Sequence, residues 1–165
     1  MQKVYLSLGS NVGDREVNLR TAIAELLGVG VQVTKESSIY ETEPVDFLEQ
    51  PWFLNCVVEG ETEIEAVALL CELREIERRM GSKKLVARGP RLIDIDILVY
   101  GRETVDTPEL QVPHPRMHLR RFVLEPLVEI APELRHPSWN GTAAELLAKS
   151  ADESVVRKVG GGKFR

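Results

Sequence analysis

One stretch, residues 92–100, restricts the fold and the chemistry of this chain more than any other. It consists of β-branched, aliphatic and aromatic residues interrupted by two acids, a composition typical of a β-strand. Because side chains alternate along a strand, Asp94 and Asp96 share one face, and the other face carries Ile93, Ile95 and Ile97. Carboxylates roughly 6.6 Å apart along a strand can hold hard cations, and paired cations clamp the oxygens of a transferred phosphoryl group. The stretch predicts either such a metal–phosphate site or, more simply, the solvated face of a half-buried strand.

Charge and length narrow the classes of protein to which the chain can belong. A formal net charge of −5 argues against a general nucleic-acid binder, and 165 residues are enough for one domain with a sizeable core. Basic residues nevertheless crowd two stretches, 74–91 and 116–121, which suits a small anionic ligand. With no apolar run long enough for a bilayer and no signal-peptide pattern, we expect a cytoplasmic protein without membrane partners. Cys56 and Cys71 lack metal-ligand spacing and are expected to be reduced core thiols.

The order of the predicted elements is β-α-β-β-α-β. Strands are expected at residues 4–8, 31–40, 52–58 and 92–100. One helix begins after Asp14 as its N-cap, and the second runs from a Thr62–Glu65 capping box to about Met80, where Gly81 ends it. This order is typical of a ferredoxin-like α+β fold, in which an antiparallel sheet carries packed helices on one face.

The last third of the chain is expected to add helices to this core. A short helix is predicted near Pro126, and another begins at a capping box formed by Thr142 and Glu145. No linker or internal repeat marks a second domain, so we expect a single domain over residues 1–159. The glycine-rich end, residues 160–165, is expected to be a disordered tail.

A second candidate for chemistry lies in the third strand. Phe53 and Asn55 are two residues apart and therefore project from the same face. An aromatic plane beside a carboxamide suits a flat heterocycle, which needs stacking and paired hydrogen-bond donors and acceptors. The simpler alternative is a core phenylalanine beside an asparagine at the strand edge.

Two more stretches are open to either a functional or a structural interpretation. Arg120 and Arg121, followed by Phe122, could supply anion contacts and an aromatic wall, or a basic surface run before a core residue. Arg74 and Glu77 lie three apart on one helix face, close to the basic loop. An ordinary intrahelical ion pair explains them equally well.

Four motifs, in order over nearly the whole chain, resemble those of a known family. They are YLSLGSNVGDR, SSIYETEPV followed by QPWFLNCVV, GPRLIDIDILVYG, and VPHPRMHLRRFVLEPLVEIAPEL. The chain resembles the 6-hydroxymethyl-7,8-dihydropterin pyrophosphokinases of folate biosynthesis. The resemblance implies a monomer with a ferredoxin-like α+β fold. It also implies transfer of the β,γ-pyrophosphoryl group of ATP to the hydroxymethyl oxygen of the pterin, with release of AMP.

The resemblance further implies roles on the phosphate side of the site. Asp94 and Asp96 would ligate two Mg²⁺ ions that bridge the phosphates of the co-substrate ATP. Arg91 and Lys84 would take part in catalysis with them. The residues around the nucleotide would be Arg74, Glu77, Lys84, Arg88, Arg91, Ile97, Gln111, His114 and Arg120.

On the pterin side, the resemblance implies that the ring lies between Phe53 and Phe122. Its edge would be read by Asn55 and by backbone and side chains of Thr42, Pro44 and Val45. These pterin-side residues argue against an alternative enzyme class, an Asp-x-Asp nucleotidyl or sugar transferase. The paired acids and the basic loop argue against a non-catalytic ferredoxin-like module that binds a ligand.

The chain departs from the family pattern in the basic loop. Many members carry Gly-Arg-x-Arg after the second helix, where this chain has Gly81, Ser82, Lys83 and Lys84. Lysine keeps a charge but cannot make the bidentate contacts of arginine. Arg88 stands where tryptophan is common and could replace either the charge or the stacking. We expect this loop to be mobile without ligand and to close over the phosphates when both substrates bind.

Overall fold

A six-stranded antiparallel sheet runs through the centre of the computed structural model, which describes residues 1–44, 49–81 and 91–160. Its strands are β1 (Gln2–Ser10), β2 (Val31–Glu36), β3 (Ile39–Thr42), β4 (Phe53–Thr62), β5 (Asp94–Tyr100) and β8 (Val156–Gly160). They are ordered β5-β1-β4-β3-β8, and β2 pairs with the second half of β4. A separate two-stranded sheet joins β6 (Val105–Asp106) to β7 (Gln111–Val112). The helices are α1 (Arg15–Gly28), α2 (Ala66–Arg79), α3 (Arg121–Ile130) and α4 (Ala143–Ala148).

The helices cover both faces of the sheet. Leucines of α1 and α2, such as Leu19 and Leu69, pack in one core with the sheet residues Leu6 and Ile95. A second core lies on the opposite face, where α3 contributes residues such as Leu124. The α+β fold class predicted from the sequence is confirmed, but the expectation of helices on one face was incomplete. Helix α3 is amphipathic, and its apolar stripe is buried by packing against a face of the sheet.

Helix boundaries agree with the sequence where a side-chain cap is made. Asp14 accepts a hydrogen bond from the Val17 backbone and caps α1, and Gly81, at φ +87°, ends α2 as predicted. The capping box predicted at Thr62 and Glu65 is not formed, because Thr62 ends β4 and its hydroxyl accepts from the Ile64 N–H instead.

The C-terminal helices give one confirmation and one correction. The Thr142–Glu145 capping box is present in full at the start of α4. Helix α3, predicted to start near Pro126, begins five residues earlier and contains this proline. Pro126 cannot donate to the Phe122 carbonyl, and burial of the apolar face of α3 offsets that loss.

Four smaller expectations also change. Strand β1 continues through Ser10, and the predicted strand at 31–40 is split because Ser37 exchanges bonds with Val57 through its N–H and its hydroxyl. Cys71 is exposed on α2, whereas Cys56 is buried as expected. Gly160 belongs to β8 rather than to a tail, and residues 161–165 lie outside the described residues. No helix within the described ranges is long and apolar enough to cross a membrane.

Candidate active site

Paired residues of three neighbouring strands form a row near one end of the sheet, which we call the open end. Asn55 on β4 is paired with Gly9 on β1, which is in turn paired with Asp94 on β5. Residues paired across antiparallel strands share a face, so the carboxamide and the carboxylate flank a position without a side chain. The period-two alternation brings Phe53 and Asp96 to this face as well. Two sequence predictions are therefore confirmed: Phe53 and Asn55 share one face of β4, and Asp94 and Asp96 share one face of β5.

Gly9 lets the Asn55 carboxamide lie close to the backbone of β1. A Cβ atom at this position would lie 2.5 Å from Oδ1 of Asn55 and 3.5 Å from the Phe53 ring. Such a contact is too close for a real side chain, so glycine is required by the close approach. Nδ2 of Asn55 donates to Oγ1 of Thr42 at 2.6 Å, which fixes the carboxamide and leaves Oδ1 on the side of Gly9.

The alternation on β5 is as the sequence predicts up to Ile97. Asp94 and Asp96 are half-buried, and Ile93, Ile95 and Ile97 are buried in the first core. Beyond this point a bulge against β1 interrupts the alternation, since Leu6 pairs with Ile97 and the next residue, Tyr5, pairs with Val99. The two acids are therefore grouped at the open end of the strand.

An ion pair from α2 holds the outer edge of β5. Glu77 accepts from the Ile95 N–H at 2.8 Å, and Arg74 donates to the Ile95 carbonyl and to Glu77, both at 2.8 Å. The second guanidinium nitrogen of Arg74 lies 3.7 Å from Oδ1 of Asp96. The intrahelical ion pair therefore forms and also places a cation beside Asp96, whereas a role of these two residues toward a nucleotide stays a prediction.

Burial raises the pKa of Glu77 above its ordinary value, and the nearby charge of Asp94 adds to this effect. The Arg74 guanidinium and the Ile95 N–H act in the opposite direction. Glu77, Asp94 and Asp96 therefore lie near one another at this edge of the sheet, with Arg74 between α2 and β5.

A buried asparagine holds the backbone of Arg91 next to the end of β1. Asn11, which is 2% exposed, accepts from the Arg91 N–H at 2.7 Å, and its own N–H donates to the Arg91 carbonyl at 3.0 Å. Its side-chain amide also donates to Gln50 and to the carbonyl of Pro51. Asn11 thereby ties the end of β1 to the residues that precede β4 and β5.

The two predicted aromatic walls lie on different elements of the same side of the sheet. Phe53 is half-buried at the start of β4, and Phe122 is half-buried at the start of α3, where it packs on the second core. The Arg120 guanidinium lies 5.5 Å from the centre of the Phe122 ring, a cation–π contact. Arg121 points elsewhere, to Glu125 and the Ser154 carbonyl.

His114 is positioned next to β5 by its backbone. Its N–H donates to the Leu98 carbonyl at 2.9 Å, and Nδ1 of its ring accepts from the Arg116 N–H at 3.1 Å. Burial lowers the pKa of His114 to about 4, with further contributions from Arg120 and Arg116. The ring is therefore neutral near pH 7, surrounded by cations that an anionic ligand would neutralise.

The remaining predicted residues differ in accessibility. Thr42 and Pro44 are buried beside the open end of the sheet. The Ile97 side chain is 2% exposed and belongs to the first core, so its side chain does not reach the surface. Gln111 is exposed on β7, where it donates to Asp106 at 3.4 Å. Three predicted residues and the loop in which two of them occur lie outside the described residues: Val45, Lys84 and Arg88.

Two residues of this arrangement, Gly9 and Asn11, had no assigned role in the sequence analysis. Both occur in the stretch taken only as the end of the first strand. Their importance depends on strands β4 and β5, which are remote in sequence. The available signal was their position in the first of the four motifs.

Comparison with known proteins gives one family for most of the chain. Residues 5–132 match the family described as 7,8-dihydro-6-hydroxymethylpterin-pyrophosphokinase (HPPK). A relative from Bacillus subtilis, a 2-amino-4-hydroxy-6-hydroxymethyldihydropteridine pyrophosphokinase, is 49% identical over 131 residues, which cover 79% of this chain and 78% of the relative. A relative of the same name from Aquifex aeolicus is 42% identical over 139 residues, covering 84% and 86% of the two chains.

Longer relatives and solved structures match over almost the whole chain. The folic acid synthesis protein fol1 of Pneumocystis carinii is 40% identical over 154 residues, 93% of this chain. This chain spans 21% of the length of that protein. A structure described as HPPK-DHPS in complex with substrates has a TM-score of 0.72 at 17% identity, covering 89% of this chain and 43% of the other. At that identity the structural likeness supports the fold alone.

Proposed function

We propose, because the chain belongs to the 7,8-dihydro-6-hydroxymethylpterin-pyrophosphokinase family, that it is an ATP-dependent pyrophosphokinase of folate biosynthesis. It would transfer the β,γ-pyrophosphoryl group of ATP to 6-hydroxymethyl-7,8-dihydropterin. The observation that carries this proposal is the row formed by Asn55, Gly9 and Asp94. On one face of the sheet it brings together a carboxamide fixed by Thr42, which would read a flat heterocycle, and the carboxylates that would hold the metal ions.

The reaction requires one bond to form and one to break. The hydroxymethyl oxygen of the pterin attacks the β-phosphorus of ATP and loses its proton. The bond from that phosphorus to the bridging oxygen of the α-phosphate breaks, and AMP leaves. Such transfers depend mainly on positioning and on neutralisation of charge rather than on a covalent intermediate with the protein.

The residues present fit a magnesium site. Asp94 and Asp96 are half-buried on one face of an edge strand, and Mg²⁺ is commonly held by one or two carboxylates together with waters and substrate phosphates. Within the described ranges no cluster of three or more His, Cys, Asp or Glu residues could hold a metal by itself, which suits a site completed by the substrate. When bound, two Mg²⁺ ions would neutralise the phosphate oxygens.

The surrounding residues would bind and orient the substrates. Phe53 and Phe122 would stack on the pterin, and Asn55 and Thr42 would hold its edge. Arg91, His114 and Arg120 would contact the phosphates, and Arg74 would hold Asp96 in place. Lys84 and Arg88 remain proposed phosphate contacts from the family resemblance.

The family match does not favour the two alternative classes, a different Asp-x-Asp transferase and a non-catalytic module. We further propose that the protein acts as a cytoplasmic monomer and binds neither nucleic acid nor membrane. An acidic net charge is consistent with the former exclusion.

The decisive experiment incubates the protein with ATP, Mg²⁺ and 6-hydroxymethyl-7,8-dihydropterin. AMP should form in step with the pterin diphosphate, whereas ADP would mean a simple kinase and refute the proposal. Asp94→Asn and Asp96→Asn should each reduce turnover by about two orders of magnitude or more, by analogy with the loss of other charge-stabilising groups. Glu133→Gln, which alters an exposed acid after α3, is the control and should retain activity.

A further inference from the structure

The family match ends at residue 132, yet the chain continues into an ordered segment that returns to the site. We name residues 152–160 the C-terminal strap. One end of the strap contacts the beginning of α3, which carries Phe122, and its other part pairs with β3, which ends at Thr42. These are the two elements on which opposite sides of the proposed pterin site lie.

At the α3 end, the strap supplies a helix cap from elsewhere in the chain. Arg120 occupies the N-cap position of α3 but makes no capping bond through its side chain. Instead Oδ2 of Asp152 accepts from the Arg121 N–H at 2.9 Å, and the Ser154 carbonyl accepts from the Arg121 guanidinium at 2.9 Å. A carboxylate at a helix N-terminus satisfies a free N–H and suits the positive end of the helix dipole.

Hydrogen bonds within the strap also hold the Asp152 side chain in place. Oδ1 of Asp152 accepts from both the N–H and the hydroxyl of Ser154. Burial opposes ionisation of this carboxyl, but these bonds and the bond from Arg121 outweigh it and hold the pKa of Asp152 below its ordinary value. The cap is therefore ionised at neutral pH.

At the β3 end, the strap continues the sheet up to the residues that flank the site. Val156 pairs with Thr42, and the Glu43 N–H donates to the Val155 carbonyl at 3.2 Å. The Val155 N–H returns a bond of 2.8 Å to Oε1 of Glu43. Glu41 forms an ion pair with Arg157 of the strap. The backbone from 41 to 44, which leads into the proposed pterin-reading residues, is thus held from both sides of Thr42.

The strap complements an anchor at the other end of α3. Glu129, one residue before the end of this helix, accepts from the N–H and hydroxyl of Ser38 and from the Tyr40 hydroxyl. That network, to which Lys158 of the strap adds an ion pair, fixes the C-terminal end of α3 to β3 and to the residue before it, and the end bearing Phe122 is fixed by other contacts. Asp152 makes such a contact.

We propose that the C-terminal strap fixes the position of Phe122 relative to the Thr42–Pro44 segment and thereby sets the affinity for the pterin. This inference rests on the proposed function of the site. Asp152 is a positioning residue, since it bonds to the Arg121 backbone and not to a substrate group. Loss of the strap should change pterin binding more than ATP binding, because the proposed metal ligands lie on β5 at the opposite edge of the sheet and, of the proposed phosphate contacts, only Arg120 adjoins the residue that Asp152 caps.

The first experiment compares three variants by KM and kcat. Asp152→Ala removes the cap of α3 and should raise the KM for the pterin about five- to tenfold, with the KM for ATP and kcat changed less than about twofold. Asp152→Asn keeps an acceptor oxygen and should restore most of the affinity. Thr142→Ala removes the cap of α4, a comparable bond outside the strap, and should leave both KM values unchanged.

The second experiment tests whether the two ends of the strap act together. Glu43→Ala removes the acceptor of the Val155 N–H and should raise the pterin KM by a similar factor. Because both contacts would act through the one strap, the double variant Asp152→Ala/Glu43→Ala should raise the pterin KM by less than the product of the two single effects. Multiplied effects in the double variant, or equal losses for pterin and ATP, would overturn the proposal.

A measurement without turnover separates this inference from the proposed function. Amide hydrogen exchange at residues 39–44 and 121–124 of the ligand-free protein should rise in Asp152→Ala and in Glu43→Ala, but not in Thr142→Ala. If the wild-type protein transferred no pyrophosphoryl group, direct titration with the pterin would replace KM in the comparison. Unchanged exchange and unchanged pterin affinity in both strap variants would refute the strap, even in an active enzyme.

Discussion

At the scale of single residues, the absent side chain at position 9 matters as much as the groups around it. Gly9→Ala should weaken pterin binding about tenfold or more, because the new Cβ would approach Oδ1 of Asn55 to 2.5 Å and displace the carboxamide. Titration of the ligand-free protein with the pterin measures this effect. Gly28→Ala is the matched control, since a Cβ there meets nothing within 4 Å. Equal pterin affinity in the two variants would mean that the close approach of Asn55 to Gly9 is not needed for pterin binding.

The neutral state of His114 makes a prediction for pH dependence. Its pKa of about 4 in the folded protein lies below the ordinary value of 6.5, because burial and the neighbouring arginines oppose its charge. Between these values the unfolded chain binds a proton that the folded chain does not. The free energy of unfolding should therefore decrease as pH falls from about 6.5 towards 4.

Urea unfolding between pH 7 and 5 checks this expectation in a range above the ordinary carboxyl pKa of 4.5. His114→Gln should flatten the pH dependence in this range. The carboxyls with lowered pKa, among them Glu41, Glu59 and Asp152, lose their stabilising effect only at lower pH. An identical pH profile in the His114 variant and the wild type would contradict the assignment.

Residue-level prediction succeeded where a short-range rule was sufficient. The shared face of Asp94 and Asp96, and that of Phe53 and Asn55, follow from an alternation of two. Their meeting across β1 did not follow, because strand order and register depend on contacts between residues more than 40 positions apart. For the same reason Asn11 could not be recognised as the link between Arg91 and Gln50.

At the scale of the element, we call the bonds that Arg74 and Glu77 of α2 make with Ile95 of β5 the clamp. The clamp should contribute both to folding stability and to the proposed metal site. Glu77→Ala leaves the Ile95 N–H without this acceptor and Arg74 without this partner. The free energy of unfolding should fall by about 1–3 kcal/mol, the typical cost of an unsatisfied buried group. The affinity for Mg²⁺ in the presence of a non-hydrolysable ATP analogue should also fall, since Asp96 loses the position that Arg74 helps to fix.

Denaturant unfolding and calorimetric titration measure the two effects of the Glu77 change. Glu75→Ala is the control on the same helix, because Glu75 pairs with Arg78 and Arg79 near the surface and its loss should change neither quantity appreciably. Retention of both stability and metal affinity in Glu77→Ala would show that the clamp has no structural role.

Element boundaries were predictable where one local interaction decided them. Asp14, Gly81 and Thr142 act as the sequence predicts, since caps involve neighbours within about four residues. The start of α3 was missed because its cap comes from Asp152, more than thirty positions away. The proline inside that helix was taken as a beginning, although packing on the sheet tolerates it.

At the scale of the whole molecule, two cores on opposite sheet faces should have separable functions. Leu69→Ala in the first core and Leu124→Ala in the second remove fully buried side chains, and each should lower the free energy of unfolding by about 2–5 kcal/mol. Only Leu124→Ala should weaken pterin binding, because it disturbs the seat of α3 and hence of Phe122. Both quantities are to be measured at a temperature at which both variants remain folded. Equal pterin losses in the two variants would mean that the cores are mechanically coupled.

The sequence predicted the fold class because the order of strands and helices excludes most other arrangements. It did not predict that α3 would cover the second face, because helical spacing shows that a helix is amphipathic without showing which surface it covers. Strand β8 was missed for a related reason. Its polar residues Arg157 and Lys158 are adjacent and its three middle residues are exposed, so it lacks the alternation of a half-buried strand, and its pairing with β3 depends on the rest of the sheet being in place.

The side-chain clamp on β5 also bears on the tendency of the protein to aggregate. A strand at the border of a sheet offers its outward N–H and C=O groups to any passing chain and can seed aggregation. Here Arg74 and Glu77 occupy those of Ile95, and the backbone of His114 occupies the Leu98 carbonyl. Asp94 and Asp96 can thus be presented to a nucleotide by an edge strand whose outward backbone groups at Ile95 and Leu98 are already hydrogen-bonded and so unavailable for pairing with another chain. Variants that open the clamp should therefore aggregate sooner on storage than their loss of folding stability alone would suggest.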